Sequence, residues 1–301
     1  MCVLHFKSLQ QPVREFIFRD EQGLVTCLRD LSDSFGQFHA ATGQFKRSFQ
    51  HPCGQLCTLY ENAESADDNG SHILWGGAAA AALLLCGSSA FEESVREGHC
   101  ARQHALAAVR AALAAAATPG AGFLELGAGH GLPTALASLS GCTALGSDLP
   151  AAVPALAGSL AGMLGLQLPA DAAGMACSLP WGDAAAVLSA VDQLKARGAP
   201  LRCVLACDVL YRAAHVKLLA TTVEQLCAAS AAQQEHPPDV VFIIDPDCVP
   251  GCEALLHALQ LELQGALEAS HAVALGACSD NAEKQGCAVL LLCATAMDRP
   301  T

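Results

Sequence analysis

The ten residues from Phe123 to Leu132, FLELGAGHGL, constrain the fold more than any other part of the chain. An apolar stretch typical of a buried strand breaks directly into three glycines with G-x-G-x-G spacing, Gly127, Gly129 and Gly131. Glycine has no Cβ, so it accepts the backbone angles of a tight turn and lets a ligand approach the main chain closely. A strand followed by such a turn predicts the cofactor-binding loop of an α/β fold.

The residues around this loop indicate which kind of cofactor it binds. A dinucleotide fold has G-x-G-x-x-G spacing and places a pyrophosphate at the N-terminus of the following helix. This chain has a different spacing, and Glu125, two residues before the first glycine, is expected to repel a phosphate. A cationic ligand without phosphates fits better. S-adenosylmethionine (SAM), which carries a sulfonium and an amine, is the common cofactor of that kind.

A second acidic residue supports the same prediction. Asp148 ends the short apolar stretch that starts at Thr143, roughly 20 residues after the glycine turn, where doubly wound folds place the carboxylate that binds the ribose hydroxyls. The alternative is a helix N-cap, because Leu149 and Pro150 follow and proline is favoured in a first helical turn. The glycine loop upstream favours ribose binding.

From residue 73 onward the predicted helices and strands alternate, which indicates a parallel sheet covered by helices. The predicted strands cover residues 123–126, 142–147, 175–179, 201–206, 240–244, 271–277 and 287–295, and the helices cover 76–87, 100–117, 133–140, 151–163, 184–196, 213–230 and 252–264. The last two strands have no helix between them, so we expect a hairpin that adds one antiparallel strand. The predicted fold class is α/β, with the seven-stranded, Rossmann-like sheet of methyltransferases.

The N-terminal part of the chain has a different character. Segments typical of strands occur at Val13–Phe18, Leu24–Leu28 and Leu56–Tyr60, and the polar, acidic stretch Glu61–Gly70 follows them. We therefore predict a β-rich extension and linker over residues 1–70 and a SAM-dependent methyltransferase domain over residues 71–301.

Composition and charge narrow the choice of partner. The net charge of −13 and the pI near 5.2 favour a basic protein partner over nucleic acids or an anionic membrane. No apolar stretch has the length of a membrane span, and the N-terminus lacks the pattern of a signal peptide, so we expect a location in the cytoplasm, with the nucleus left open. The 16 cysteines are scattered through apolar segments with C-x-x-x-C as the closest spacing, so no metal site is predicted.

Five short motifs occur together along the chain. They are I-L-W-G at Ile73–Gly76, E-L-G-A-G-H-G-L in the glycine loop, S-D-L-P at Ser147–Pro150, W-G at Trp181–Gly182 and A-C-D-V-L-Y at Ala206–Tyr211. This combination resembles the non-SET protein lysine methyltransferases of methyltransferase family 16, the methyltransferase-like group, from about Ile73 to Ala294. The resemblance implies a SAM-dependent protein N-methyltransferase that acts on a lysine side chain of a protein substrate.

The resemblance also assigns cofactor-binding roles. It implies that Trp75 and Trp181 flank the cofactor, with Trp181 near the adenine, and that Cys207 lies against it. The alternatives are that Trp75 anchors the core at a helix start and that Trp181 is a loop aromatic packed on the sheet. The predicted cofactor-binding residues are Trp75, Glu125, Gly127, Ala128, Gly129, Gly131, Asp148, Trp181 and Cys207.

Two further residues are implied to be catalytic by the same resemblance. Asp208 and Tyr211, which form a D-x-x-Y motif after the fourth predicted strand, would line the channel of the substrate lysine. Asp208 would orient the amine, and Tyr211 would pack over it by a cation–π contact. The alternatives are that Asp208 caps the helix that starts near Arg212 and that Tyr211 is an aromatic residue at the rim.

Several functional alternatives remain beside lysine methylation. Relatives of this fold also methylate histidine or arginine side chains. A small-molecule methyltransferase is a second hypothesis, although no large insertion that would cover a small-molecule pocket is evident. A scaffold that binds SAM without turnover is a third, and the intact Glu125, glycine loop and Asp148 disfavour it. The expected partner is a basic protein, such as one of the chaperone or translation type.

Overall fold

The N-terminal part of the chain contains two small antiparallel sheets. The computed structural model of the chain describes residues 16–19, 25–28, 38–39, 44–50, 54–62, 78, 81, 85, 111–114, 118–166, 172–233, 237–244, 252–263 and 288–292. The first strands are β1 (Phe16–Arg19), β2 (Val25–Leu28), β3 (Phe38–His39), β4 (Gln44–Gln50) and β5 (Leu56–Asn62). β1 pairs with β2, and β3, β4 and β5 form a three-stranded sheet in that order.

Helices and strands alternate along the remaining described residues. In chain order they are β6 (Gly122–Leu126), α1 (Leu132–Leu139), β7 (Thr143–Asp148), α2 (Val153–Leu164), a 3-10 turn (Ala173–Met175), β8 (Ala176–Ser178), α3 (Ala184–Ala196), β9 (Leu201–Cys207), α4 (Ala213–Ala231), β10 (Asp239–Ile244), α5 (Cys252–Leu263) and β11 (Ala288–Leu292). The predicted helices over 133–140, 151–163, 184–196, 213–230 and 252–264 agree with α1 to α5 within two residues. Residues 78, 81, 85 and 111–114 are also helical, inside the two helices predicted upstream of β6.

The central sheet confirms the predicted α/β fold class. Its strand order is β11-β10-β9-β6-β7-β8, in which five neighbouring strands are parallel and β11 is antiparallel to β10. The antiparallel direction of β11 agrees with the prediction, whereas its expected hairpin with the strand over 271–277 stays a prediction. The described part of this sheet has six strands, and the predicted strand over 271–277 lies outside the described residues.

Both faces of the sheet are covered, which explains why its strands are almost continuously apolar. All five residues of β6 are buried, and successive side chains alternate between the faces. Phe123 packs in the core shared with α1 and α2, whereas Leu124 packs in the core shared with α3, α4 and α5. None of the helices in the described ranges is long and apolar enough to cross a membrane.

The strand β5 packs against the helix that follows β7. Cys57 and Leu59 are buried in the same core as Leu160 of α2. The Gln55 side-chain amide donates a hydrogen bond to the Leu164 carbonyl at 3.1 Å, near the C-terminal end of that helix. The strand β5 of the N-terminal three-stranded sheet therefore packs against α2.

Candidate functional site

The order of the strands places a crevice at the carboxyl end of β6. The chain passes from β6 to β7 on one side, and β9 lies on the other side, so β6 stands where the strand order reverses. In open α/β sheets such a switch point forms a ligand crevice outside the carboxyl ends of the strands. The glycine loop follows β6, Asp148 ends β7, and Asp208 follows β9. Three regions that were predicted from the sequence therefore lie at the same end of the sheet, where the parallel strands have their carboxyl ends.

The three glycines of the loop all adopt left-handed backbone angles. The φ values are 61° at Gly127, 53° at Gly129 and 73° at Gly131. A Cβ on Gly127 would stand 2.8 Å from Val209 Cγ1, and one on Gly131 would stand 2.6 Å from Leu156 Cδ1. Glycine is therefore required at these two positions by the packing of the protein's own side chains as well as by the turn.

Hydrogen bonds within the protein already engage three N–H groups of this loop. Ala128 N–H donates to the Ser147 carbonyl at 2.9 Å, and Gly131 N–H donates to the Ala128 carbonyl at 2.7 Å. Gly129 N–H donates to Asp148 Oδ2 at 2.8 Å. The sequence had suggested that these N–H groups face a ligand. Instead a carboxylate oxygen occupies the place at Gly129 where a phosphate oxygen would bind in a dinucleotide fold.

Asp148 is a loop-anchoring residue and not a helix cap. Its second oxygen, Oδ1, accepts a hydrogen bond from Leu149 N–H at 2.7 Å. The helix α2 begins later, at Val153, and its N-cap Ala152 makes no side-chain capping bond. The N-cap alternative for Asp148 is therefore wrong. Its half-buried carboxylate lies at the carboxyl edge of the sheet, beside the glycine loop.

Glu125 is buried beneath the loop and faces the first turn of α1. Its Oε2 atom accepts hydrogen bonds from Thr134 N–H at 2.9 Å and from the Thr134 hydroxyl at 2.5 Å. Thr134 N–H belongs to the first turn, where backbone donors have no partner within the helix, so Glu125 supplies the acceptor that α1 lacks. Cofactor contact by Glu125 stays a prediction, whereas its bonds to Thr134 give it a part in holding the helix.

The environment of Glu125 also changes its charge. Burial, the largest effect, raises its pKa from 4.5 to about 8, although the Thr134 hydrogen bonds act in the opposite direction and Asp148 adds a smaller rise. Glu125 is therefore mainly neutral at pH 7. A neutral carboxyl group does not repel phosphate as the sequence had suggested, and the negative charge next to the loop belongs to Asp148.

Trp181 reaches the glycine loop from the connection after β8. Its Cζ2 atom lies 3.5 Å from the position that a Cβ on Gly127 would occupy. The half-buried ring also packs on the core between the sheet and helices α3 to α5. The structure therefore brings together two predicted site residues that are far apart in the sequence. Trp75, the other predicted tryptophan, lies outside the described residues.

The turn after β9 holds Asp208 in an uncommon backbone conformation. Asp208 has a φ of 55°, and no other non-glycine residue in the described ranges has a positive φ. The conformation is held in place because its N–H donates to the Ile243 carbonyl at 2.9 Å. Residues kept in such conformations cost on the order of 1–3 kcal/mol and cluster at functional sites. The preceding Cys207 is buried at the end of β9.

Asp208 does not cap the helix that follows it. The helix α4 begins at Ala213, and its N-cap Arg212 makes no side-chain capping bond. The capping alternative for Asp208 is therefore wrong. Its side chain is buried, whereas Tyr211, three residues later, is 39% exposed. The motif therefore combines a buried acidic residue and an exposed aromatic residue in the segment between β9 and α4.

His215 contacts both Trp181 and Tyr211, and it was not predicted from the sequence to be a site residue. Its ring makes edge-to-face contacts with Trp181 at 5.3 Å and with Tyr211 at 4.8 Å between centroids. The Arg212 guanidinium lies 5.5 Å from the Tyr211 ring centroid. Burial lowers the pKa of His215, a Val209 backbone hydrogen bond raises it, and Arg212 lowers it, so the net direction is downward. Because Tyr211 lies before the N-cap of α4 and His215 lies in its first turn, no helical spacing in the sequence signalled this contact.

The described residues of the site include three neighbouring rings, Trp181, His215 and Tyr211, and two buried acidic residues, Glu125 and Asp208. Within the residues that the structure describes, no cluster of three His, Cys, Asp or Glu side chains could hold a metal ion. The site therefore offers hydrogen-bond acceptors, apolar ring faces and a tight glycine turn. These groups suit an organic ligand with hydroxyl or amine donors.

Comparisons with known proteins give remote similarities only. No protein-family model matches the chain, and no curated protein matches it. Among solved structures, a candidate SAM-dependent methyltransferase from Streptococcus mutans has a TM-score of 0.44 at 9% identity, covering 83% of this chain and 55% of its own. A candidate methyltransferase complexed with SAH has a TM-score of 0.43 at 10% identity, covering 83% of this chain and 56% of its own.

A third solved structure has a narrower overlap with the chain. The ribosomal protein L11 methylase from Lactobacillus delbrueckii subsp. bulgaricus has a TM-score of 0.33 at 15% identity, covering 66% of this chain and 80% of its own. The chain spans slightly more than half the length of the first two structures. Because TM-scores below 0.5 do not establish a shared fold, the fold assignment comes from the sheet described above.

Proposed function

We propose that this chain is a SAM-dependent methyltransferase. The observation that carries the proposal is the hydrogen bond from Gly129 N–H to Asp148 Oδ2 at 2.8 Å. It places a carboxylate where a dinucleotide-binding loop would receive a phosphate, so the crevice disfavours anions and suits a phosphate-free nucleoside with a cationic group. A carboxylate at the end of this strand is also the group that binds ribose hydroxyl groups in doubly wound folds.

The residues around the loop fit such a cofactor. Asp148 would hold the ribose, Trp181 would pack on the adenine, and the backbone of Gly127 to Gly129 would approach the amino-acid end. The closeness of Trp181 to the main chain of Gly127 supports this assignment, because Trp181 Cζ2 lies 3.5 Å from the position of a Cβ on Gly127. When bound, SAM supplies an electrophilic methyl group on a sulfonium.

For the acceptor we propose a nitrogen nucleophile, with a protein lysine as the first candidate. Asp208 is buried at the crevice edge, where its carboxyl group can accept an amine N–H and orient the lone pair. The rings of Trp181 and Tyr211 both contact His215, and this cluster of rings, which includes Tyr211 three residues after Asp208, would exclude water and favour the uncharged amine. The proton would leave to solvent before transfer, so no residue has to act as a formal general base.

The charge of the chain favours a protein substrate over a small molecule. A net charge of −13 attracts basic segments, and lysine-rich segments are the natural partners of such a surface. Tyr211 is exposed at the crevice edge, which leaves the acceptor side open to a large substrate. A basic protein substrate, of the chaperone or translation type for example, is therefore our proposal for the partner.

Two experiments test the proposed function in sequence. Titration calorimetry with S-adenosylhomocysteine (SAH) and with NAD should show binding of SAH on the micromolar scale and a clear preference over NAD. Labelled SAM should then transfer its methyl group to a protein in a lysate that lacks this enzyme, and mass spectrometry should locate the label on a lysine. Preferential binding of NAD would end the proposal, and a label on a small molecule would replace the protein-lysine assignment.

A further inference from the structure

A buried hydroxyl group on α4 connects that helix to the loop that carries Trp181. Thr222 is fully buried, and its Oγ1 accepts a hydrogen bond from Gly182 N–H at 2.8 Å. The same hydroxyl donates to the Leu218 carbonyl one turn earlier, at 2.9 Å. Thr222 therefore uses its hydroxyl as donor and as acceptor at once, and it links two parts of the chain that are 40 residues apart.

The backbone of Gly182 is shaped for this contact. Its φ of 85° lies in the left-handed region, and a Cβ there would stand 3.2 Å from Leu218 Cδ2. Thr222 binds the N–H group of Gly182, the residue directly after Trp181. This hydrogen bond therefore fixes the backbone next to the tryptophan. Without the Thr222 acceptor, this half-buried N–H would lose its hydrogen bond at a cost comparable to the bond itself.

Four other hydrogen bonds hold this segment, and one of them, from Asp183 N–H to the Pro180 carbonyl at 3.1 Å, closes a turn around Trp181 and Gly182. Leu179 N–H donates to the Asp148 carbonyl at 2.9 Å, two residues before Trp181. Asp183 Oδ1 accepts hydrogen bonds from Ala185 N–H at 2.9 Å and from Ala186 N–H at 3.1 Å, which caps α3. The peptide between Trp181 and Gly182 lies between these anchors and is held by Thr222.

We propose that Thr222 is a positioning residue, whose hydroxyl fixes Trp181 against the glycine loop. Its consequence for cofactor affinity rests on the proposed function, because Trp181 would contact the adenine there. Thr222 itself touches neither the glycine loop nor the crevice in any contact described above. Thr222 acts through its hydrogen bond to Gly182. A substitution at Thr222 should therefore affect the cofactor site only by making the position of Trp181 less fixed.

Hydrogen exchange of the Gly182 amide tests the anchor without any ligand. Thr222→Val keeps the volume of the side chain and removes the hydroxyl, so exchange at Gly182 should become about tenfold faster, the factor that corresponds to the loss of one hydrogen bond. Thr222→Ser keeps the hydroxyl and should retain most of the protection. Thr221→Val, at the neighbouring residue of α4, is the matched control, and its Gly182 amide should exchange at the wild-type rate. Unchanged protection in Thr222→Val overturns the proposal.

Fluorescence gives a second readout of the tryptophan itself. The chain has two tryptophans, so Trp75→Phe leaves Trp181 as the sole emitter. In that background Thr222→Val should make Trp181 more accessible to acrylamide, whereas Thr222→Ser should not. Should Thr222→Val fail to fold, Thr222→Ala carries the same expectation, since it also lacks the hydroxyl. Equal quenching in the variants without the hydroxyl and in the parent would contradict the proposal.

Titration with SAH separates this proposal from the proposed function. If both are correct, Thr222→Val should bind SAH about tenfold more weakly than wild type, and Thr222→Ser should bind nearly as well. Wild-type protein that binds no SAH would overturn the proposed function, while the exchange rate of Gly182 would still decide the role of Thr222. Faster exchange with unchanged SAH affinity would overturn the link between Thr222 and the cofactor site.

Discussion

Glu125 Oε2 accepts two hydrogen bonds from one residue, the N–H and the hydroxyl group of Thr134, at 2.9 Å and 2.5 Å. Through these bonds a carboxyl group on β6 holds the first turn of α1, the helix that begins directly after the glycine loop. The glycine loop is therefore fixed at both of its ends by the residue that precedes it and the helix that follows it. A buried titratable group at this place makes the stability of the loop depend on pH.

Folding stability should fall as the pH rises from about 4.5 to about 8, because of Glu125. Its pKa is 4.5 when unperturbed and about 8 in the folded protein, so the folded state binds more protons than the unfolded state between these values. Each pKa unit corresponds to about 1.4 kcal/mol. In Glu125→Gln the amide oxygen still accepts from Thr134 but has no charge, so this contribution to the pH dependence should disappear.

Urea unfolding at several pH values between 5 and 8 checks the Glu125 prediction. Relative to wild type, Glu125→Gln should gain stability as the pH rises. Thr134→Val is the control, because it removes a hydrogen bond that lowers the pKa of Glu125 and should extend the pH-dependent range upward. Parallel stability curves for wild type and Glu125→Gln would contradict the prediction.

Asp148→Ala should weaken SAH binding by about 10-fold to 100-fold, because charge-assisted hydrogen bonds to ribose hydroxyls are worth about 1.5–3 kcal/mol. The loss of the Gly129 bond should add a modest decrease in melting temperature. Asp192→Asn, which removes a carboxylate charge at the α3 surface, is the control for net charge and should leave affinity unchanged. Calorimetry that finds equal SAH affinity in Asp148→Ala would remove this residue from the ribose site.

Asp208 is best tested with two variants that tolerate its backbone. Alanine at a φ of 55° would be strained, whereas asparagine and glycine accept left-handed angles. Asp208→Asn and Asp208→Gly should keep most SAH affinity and lose most methyl transfer, since the buried carboxylate faces the acceptor side in our proposal. Asp208→Gly should also relieve about 1 kcal/mol of backbone strain.

The measurements for Asp208 are melting temperature, SAH affinity and single-turnover methylation on the same preparations. Because Asp208 does not cap α4, no loss of helix stability should complicate the comparison. Near-normal turnover by Asp208→Asn would show that its charge has no part in the transfer.

Tyr211→Phe should have a smaller effect than Tyr211→Ala. The ring contacts His215 at 4.8 Å and lies 5.5 Å from the Arg212 guanidinium, and phenylalanine keeps both contacts. Alanine removes the ring, so it should raise the KM for the protein substrate while leaving SAH affinity near the wild-type value. Equal effects of the two variants would assign the role of Tyr211 to its hydroxyl group and not to its ring.

Much of the fold could be predicted from local patterns in the sequence. The helices from α1 to α5 agree with prediction within two residues, because apolar periodicity and turn residues report on segments that each occupy one short stretch of chain. The antiparallel direction of β11 also agrees, since the sequence shows no crossover helix before this strand. The roles of individual side chains were harder to predict. Two alternatives, helix caps at Asp148 and Asp208, are wrong because the helices begin several residues later.

The sequence by itself determined the order of helices and strands, the position of the glycine loop and the acidic residues at three strand ends. Only the tertiary structure decided which group each of them contacts. The Asp148 carboxylate accepts a hydrogen bond from Gly129, the Glu125 carboxyl group accepts from Thr134, and His215 contacts both Trp181 and Tyr211. Those contacts depend on which strand ends are neighbours and on how far each chain segment is from water. Strand order and burial are set by the packing of the whole sheet, and a local sequence pattern contains neither.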